Sequence, residues 1–191
     1  MISQVFTQDS FKIMTLFSLS SGSRFNRTEI KKRVFLHNVP LDKALLRLIS
    51  SEILKKERNY YSVNFENEKA RILLETCTWQ YKQLKELPLA VFYLLIDCMY
   101  GLSLIKGIEI YLFGSYAKLV YRENSDIDIA ILYTQEILRK KIIEIFTPLE
   151  KTYDKKVELH YFSKVDFYKN KKDPLVRSIL KDGVFLGRSK R

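Results

Sequence analysis

The chain has 191 residues, 47% of them hydrophobic and 13% aromatic, with 6 glycines and 4 prolines. That length fits one large domain or two small ones, and that composition excludes a low-complexity or disordered chain. The formal charge of +11 favours a polyanionic partner or a phosphate-bearing substrate, and the cations gather at both ends around a slightly acidic middle.

The opening residues, Met1 to Gln8, lack the basic start and apolar core of a secretory signal, so a cytoplasmic location is expected. Phe11, Ile13, Met14, Leu16 and Phe17 predict a short buried helix that Gly22 breaks. Asn26-Arg27-Thr28-Glu29 reads as a capping box opening a second helix through Ile30 and Val34. Asn38 and Pro40 open a third, because proline is tolerated in a first turn. There Leu41, Ala44, Leu45, Leu48 and Ile49 form one apolar stripe, leaving Lys43 and Arg47 elsewhere on the surface.

From Leu54 to Val63, two short β-prone runs flank a polar turn at Glu57-Arg58-Asn59, and Tyr61, Val63 and Phe65 alternate as in a half-buried strand. Glu68 to Glu86 reads as an amphipathic helix, with Ile72, Leu73, Thr76 and Trp79 along it. Leu87 to Ile105 is strongly apolar, but Pro88, Asp97 and Gly101 interrupt it. A mid-span charge is costly in lipid, so this is expected to be a buried helix, with a contact between two copies of the chain as a further use, and no membrane association is expected.

The second half alternates. Strands are expected at Ile108–Phe113, Asp126–Tyr133 and Lys156–Phe162, with a short helix after Ser115 and another from Gln135 to about Lys151 carrying Ile137 and Leu138. Asp173-Pro174 starts a last helix that ends near Gly183, Val184–Leu186 adds a strand, and Ser189-Lys190-Arg191 reads as a solvated tail. Cys77 and Cys98 match no metal or redox spacing and read as buried reduced thiols. The expected domains are 1–66, a connector helix at 67–88, and 89–191, in a mixed α/β (α+β) fold.

The informative run is Phe113 to Ile131. On a strand, Asp126 and Asp128 point to one side while Ile127 and Ile129 point into the core. Two adjacent carboxylates repel unless a cation sits between them, and hard carboxylate oxygens suit Mg²⁺. Gly114 allows a phosphate to approach the backbone, and Ser115 with the N–H groups of a helix start can hold anionic oxygens. A two-metal site wants a third carboxylate on a neighbouring strand. Glu158 supplies it, sharing a face with His160 opposite Val157, Leu159 and Tyr161; Asp154 lies nearby as a rival. His160 itself reads as an ordinary strand residue, and Tyr116 as packing.

Gly114-Ser115-Tyr116-Ala117 followed by Ser125-Asp126-Ile127-Asp128 resembles the signature of the DNA polymerase beta-like nucleotidyltransferase superfamily, over roughly residues 90–187. The resemblance implies a small mixed sheet and an NTP substrate. It also implies two Mg²⁺ ions held by Asp126, Asp128 and Glu158, and a triphosphate positioned by Gly114, Ser115, Lys118 and Ser125. It further implies a possible protein partner, because minimal members often act beside a helical toxin that some of them nucleotidylate. Lys118 stands where the family usually has Arg, Leu119 where it has Gly, and Glu158 where it more often has Asp.

The first half resembles a winged helix-turn-helix by element order. That resemblance implies duplex DNA as a partner and a homodimer as the working unit. The third helix, with Lys43 and Arg47, would then lie in a major groove, with Lys55, Lys56 and Arg58 on the wing. Three functions stay open: an active nucleotidyltransferase, a DNA-binding regulator that only senses nucleotide, and a winged helix that grips RNA or a partner protein.

Overall fold

The structure, a computed structural model, describes residues 7–135 and 139–189. The chain divides into two compact units, Met1–Tyr93 and Leu94–Arg191.

In the first unit, helix α1 (Gln8–Leu19) starts where the Thr7 hydroxyl accepts from the Ser10 N–H. Strand β1 (Phe25–Asn26) leads into α2 (Arg27–Val34), and the expected capping box is present. The Asn26 side chain accepts from the Glu29 N–H at 2.9 Å, and Glu29 accepts from the Asn26 N–H at 2.8 Å. Helix α3 (Asn38–Ser50) buries Leu41, Ala44, Leu45 and Leu48 as its spacing predicts. A fork from Arg27 to both carboxylate oxygens of Asp42, at 2.6 and 2.8 Å, ties α2 to α3. Strands β2 (Leu54–Glu57) and β3 (Tyr60–Val63) pair as a hairpin, β1 adds on the other side of β3, and Arg58 takes a positive φ at the tip.

Two expectations here are corrected. Strand β3 ends at Val63, and Phe65 lies beyond it, exposed, because Asn64 turns the chain through its bonds to Ile53 and Glu52. Helix α4 (Glu68–Gln83) buries Ala70, Leu73, Leu74 and Cys77, while Ile72 and Trp79 stay exposed. Ile72 and Trp79 lie on the opposite side of the helix from that buried stripe. Helix α5 (Leu89–Leu102) crosses the division between the units. Its first turn belongs to the first unit, where the Tyr93 hydroxyl donates to the Lys12 carbonyl and Phe92 packs edge-on against Tyr81.

In the second unit, strand β4 (Ile108–Phe113) lies at the centre of a four-stranded sheet. It pairs antiparallel with β5 (Ile127–Tyr133) and with β7 (Val184–Arg188), while β6 (Val157–Ser163) runs parallel to β5. The sheet is mixed and small, as the resemblance implied. Helix α6 (Gly114–Lys118) follows β4, α7 (Arg139–Tyr153) precedes β6, and α8 (Lys164–Lys169) and α9 (Pro174–Asp182) precede β7. Phe113, Ala130, Leu132, Phe167, Val176 and Ile179 form one core on the α8–α9 face. On α7, Tyr153 donates to Asp97 of α5, and Gly101 admits the Ile145 side chain so closely that a Cβ would collide with it.

Sequence reasoning missed α8, whose six residues are too few for a periodic pattern. The expected start of α7 falls partly on residues 136–138, so Ile137 and Leu138 lie outside the described residues. Ser189 is no solvated tail: it is buried, its N–H donates to the Ile108 carbonyl, and its hydroxyl accepts from the Ile108 N–H. Lys190 and Arg191 lie outside the described residues. No described helix is long and apolar enough to cross a membrane. The apolar side chains of α5 from Val91 to Leu95, with Cys98 and Leu102, are buried, as expected of a buried helix, while Tyr100 and Leu104 stay exposed.

Candidate active site

Strand pairing assembles the site. Phe113 stands opposite Asp128 across the β4–β5 ladder, and Glu158 stands opposite Asp128 across the β5–β6 ladder. Alternation then puts Phe113, Asp128, Glu158 and His160 on one face of three adjacent strands. The ligand atoms of Asp128, Glu158 and His160 lie within 4.8 Å of one another. His160 Nε2 is 3.2 Å from Glu158 Oε1, and the Phe113 ring meets the imidazole edge-on at 5.1 Å.

Gly114 shows why its position takes glycine. Its φ is +69°, a region that side chains rarely adopt, and a Cβ there would collide with the Asp128 carboxylate. The β4–α6 turn therefore passes directly over the metal-competent oxygens, and the Ser115 N–H donates to Asp128. The carboxyl of Asp128 is held above its ordinary range, chiefly because burial strips its water and next because Glu158 repels it. Nearby His160 and the Ser115 N–H act in the opposite direction.

Other predicted residues fall at the margin of this group. Asp126 precedes β5 rather than lying on it and is exposed, outside the Asp128–Glu158–His160 set; it faces an open groove of about 770 Å³ shared with Lys151, Lys155 and Lys156. Ser125 is turned into its own loop, where its hydroxyl accepts from the Arg122 N–H at 2.8 Å. Lys118 pairs with Asp182 at 3.5 Å. Asp154 sits at a positive φ in the turn before β6, in the groove with Asp126 and outside the three-residue set. Leu119 adopts the left-handed conformation, φ 59°, that favours glycine, the residue the resemblance implied at this position.

Sequence reasoning placed His160 on the face of Glu158 and read it as an ordinary strand residue; the structure brings its imidazole together with the carboxylates of Asp128 and Glu158. In the first unit, Lys43 and Arg47 lie on α3 away from its buried stripe, Lys55 pairs with Glu66 at 2.8 Å, Lys56 stands 5.5 Å over the Tyr61 ring, and Arg58 is exposed at the hairpin tip.

Residues 106–191 match the protein-family model for polymerase beta nucleotidyltransferases. That segment contains the whole sheet and every residue of the site, so the family match and the geometry coincide. Two solved structures are similar to parts of the chain. A toxin-antitoxin complex with AMP-PNP has 27% identity, covering 52% of this chain and 72% of that one, with a TM-score of 0.36. A mutant of the toxin-antitoxin MntA-HpeT has 25% identity, covering 52% and 71%, also with a TM-score of 0.36. No curated protein matches the chain.

Proposed function

We propose that the second unit is a nucleotidyltransferase that moves a nucleoside monophosphate from an NTP to a hydroxyl acceptor, releasing pyrophosphate. The observation that carries this reading is the glycine turn laid over Asp128 with Glu158 in register beside it. The family match over the same residues supports it.

Chemistry and geometry both suit a divalent cation. Asp128 and Glu158 are hard oxygen donors whose ligand atoms converge, and the raised Asp128 carboxyl marks a place where positive charge would relieve repulsion. Asp128 and Glu158 would hold the cation, with Asp126 at the outer edge as a further carboxylate. Bound there, the cation would supply charge neutralisation for the transferring phosphoryl group. The protein's own part is positioning. Gly114 and Ser115 present backbone N–H groups and a hydroxyl to the triphosphate, and Lys118 adds a cation once it leaves Asp182.

The test is incubation with each labelled NTP and a divalent cation, alone and with candidate protein, RNA and small-molecule acceptors, one of them a partner protein. Label transfer that disappears in Asp128→Asn and Glu158→Gln supports the reading. No transfer to any acceptor, together with NTP binding unchanged in both variants, overturns it.

A second activity is favoured by the first unit. We propose that it binds duplex DNA as a winged helix. Supporting this are the order helix, strand, two helices and hairpin, and the placement of Lys43 and Arg47 away from the stripe that α3 buries. The two activities are compatible in one chain, and a pair of chains on two half-sites is the expected arrangement on DNA.

A further inference from the structure

We propose that His160 is a ligand of the cation held by Asp128 and Glu158, and that this mixed imidazole–carboxylate set selects Mn²⁺ over the Mg²⁺ that carboxylates alone would take. The inference rests on the nucleotidyltransferase reading for the presence of a cation, and it concerns which cation and which ligands.

Three observations converge. First, the ligand atoms of Asp128, Glu158 and His160 lie within 4.8 Å of one another. Metal–ligand bonds of about 2.0–2.2 Å put cis atoms on one ion about 3 Å apart and trans atoms up to about 4.4 Å apart, so a set that spans at most 4.8 Å, with one pair already at 3.2 Å, lies within side-chain rotation of a single ion. Second, the imidazole is aimed at the set. Nε2 is the nitrogen facing Glu158 Oε1, at 3.2 Å. Phe113, edge-on at 5.1 Å, packs against the ring, and Phe113 is itself opposite Asp128 in the sheet. Third, the side chain of His160 is only 26% exposed, so its ring is already largely withdrawn from water and little is lost on ligation.

Softness then decides the metal. Mg²⁺ demands oxygen ligands and an octahedron it is reluctant to distort, and gains little from a nitrogen. Imidazole suits first-row transition ions better, while the two carboxylates keep the site within the range of Mn²⁺. A strand places Glu158 and His160 on the same face two residues apart, so one β6 segment supplies both ligand types.

The alternative is that His160 only hydrogen-bonds Glu158 and orients it. Pulsed electron paramagnetic resonance of Mn²⁺ bound to the full chain separates the two. The chain has two histidines, so a His37→Ala background leaves His160 as the one imidazole. Imidazole ¹⁴N coupling to Mn²⁺ in that background, lost on adding His160→Gln, is the expected result. His160→Gln should also weaken Mn²⁺ binding by at least about tenfold while changing Mg²⁺ binding by less than about threefold. Bound Mn²⁺ without imidazole coupling overturns the proposal, as does an equal loss of both cations. Asp128→Asn locates the ion. If Mn²⁺ binds that variant unchanged, the cation is elsewhere, and both this proposal and the metal site of the transferase reading fail. Coupling present with no label transfer to any acceptor, and with NTP binding unchanged in Asp128→Asn and Glu158→Gln, leaves the ligand assignment standing and removes the transferase alone.

Discussion

Asp128 is the residue at which burial, charge and backbone meet. A raised carboxyl binds its proton more tightly in the fold than in the unfolded chain. Its cost is therefore absent below the ordinary carboxylate range, near about pH 4, and grows as pH rises through the raised value. Asp128→Asn removes that cost, so the variant should melt above wild type at pH 7 in chelator, and the gap should close as the pH falls. Divalent cation should reverse the order, because the ion stabilises only the chain that binds it. Melting temperatures across pH, with and without cation, check the sign; a variant less stable at pH 7 in chelator would count against it. Leu119 poses a simpler test. The residue is 51% exposed and its φ is 59°, so it contributes little packing and carries left-handed strain. Strain of about 1–2 kcal/mol, less the chain entropy of glycine at about 0.5–1, leaves a net gain of about 0–1.5 kcal/mol for Leu119→Gly by chemical denaturation, and a net loss would count against the strain.

At the scale of elements, Glu109 on β4 fastens the far end of the sheet. It is 3% exposed and accepts from Lys164 at the start of α8 and Arg188 on β7, each at 2.6 Å. The two cations are 32% and 58% exposed, so the buried partner is the acid. Losing one side of the cluster is then unequal to losing the other. Lys164→Met with Arg188→Met leaves a buried carboxylate with both its cations gone and only the Tyr168 hydroxyl, at 3.5 Å, still donating to it, and should cost about 3–5 kcal/mol. Glu109→Leu leaves cations that reach water and should cost about 1–2 kcal/mol. Denaturant titrations rank the two, and equal losses would show that the cluster acts through packing alone. The cluster also explains why α8 forms in so short a segment: the Ser163 side chain caps it, and the ion pair and Phe167 hold it to the sheet.

On the scale of the whole molecule, the +11 charge suits both proposed ligands, an NTP and duplex DNA. Of the five first-unit cations proposed to meet DNA, Lys55 is engaged with Glu66, which leaves Lys43, Arg47, Lys56 and Arg58. Four phosphate contacts predict a slope near about −3.6 in log K against log[salt] for duplex DNA. Charge-neutral substitution of Lys56 and Arg58 should flatten that slope and leave sequence preference unchanged, whereas substitution of Arg47 should alter preference as well. Mobility-shift titrations across salt check both. Binding that ignores these residues would leave the first unit as a protein-contact module.

Much of this was legible in the chain because local physics wrote it there. The Asn26–Glu29 capping box, the α3 stripe, the four sheet strands of the second unit and the Gly114–Asp128 spacing follow from hydrogen-bonding capacity and from periods of 3.6 and 2, which neighbours in sequence determine by themselves. Glu158 was legible for the same reason, as the acid inside an alternating strand. Tertiary structure alone decided what depends on residues far apart in sequence. It set the β5–β6 register that brings Asp128 beside Glu158, and the same pairing brings His160 into the set while Asp126 stays outside it at the groove. It also decided that Ile72 and Trp79 face out, that Phe65 leaves the sheet, and that Ser189 closes against Ile108. An alternating pattern says which residues share a face, but pairing across strands decides which faces meet, and that depends on long-range contacts that no local window contains.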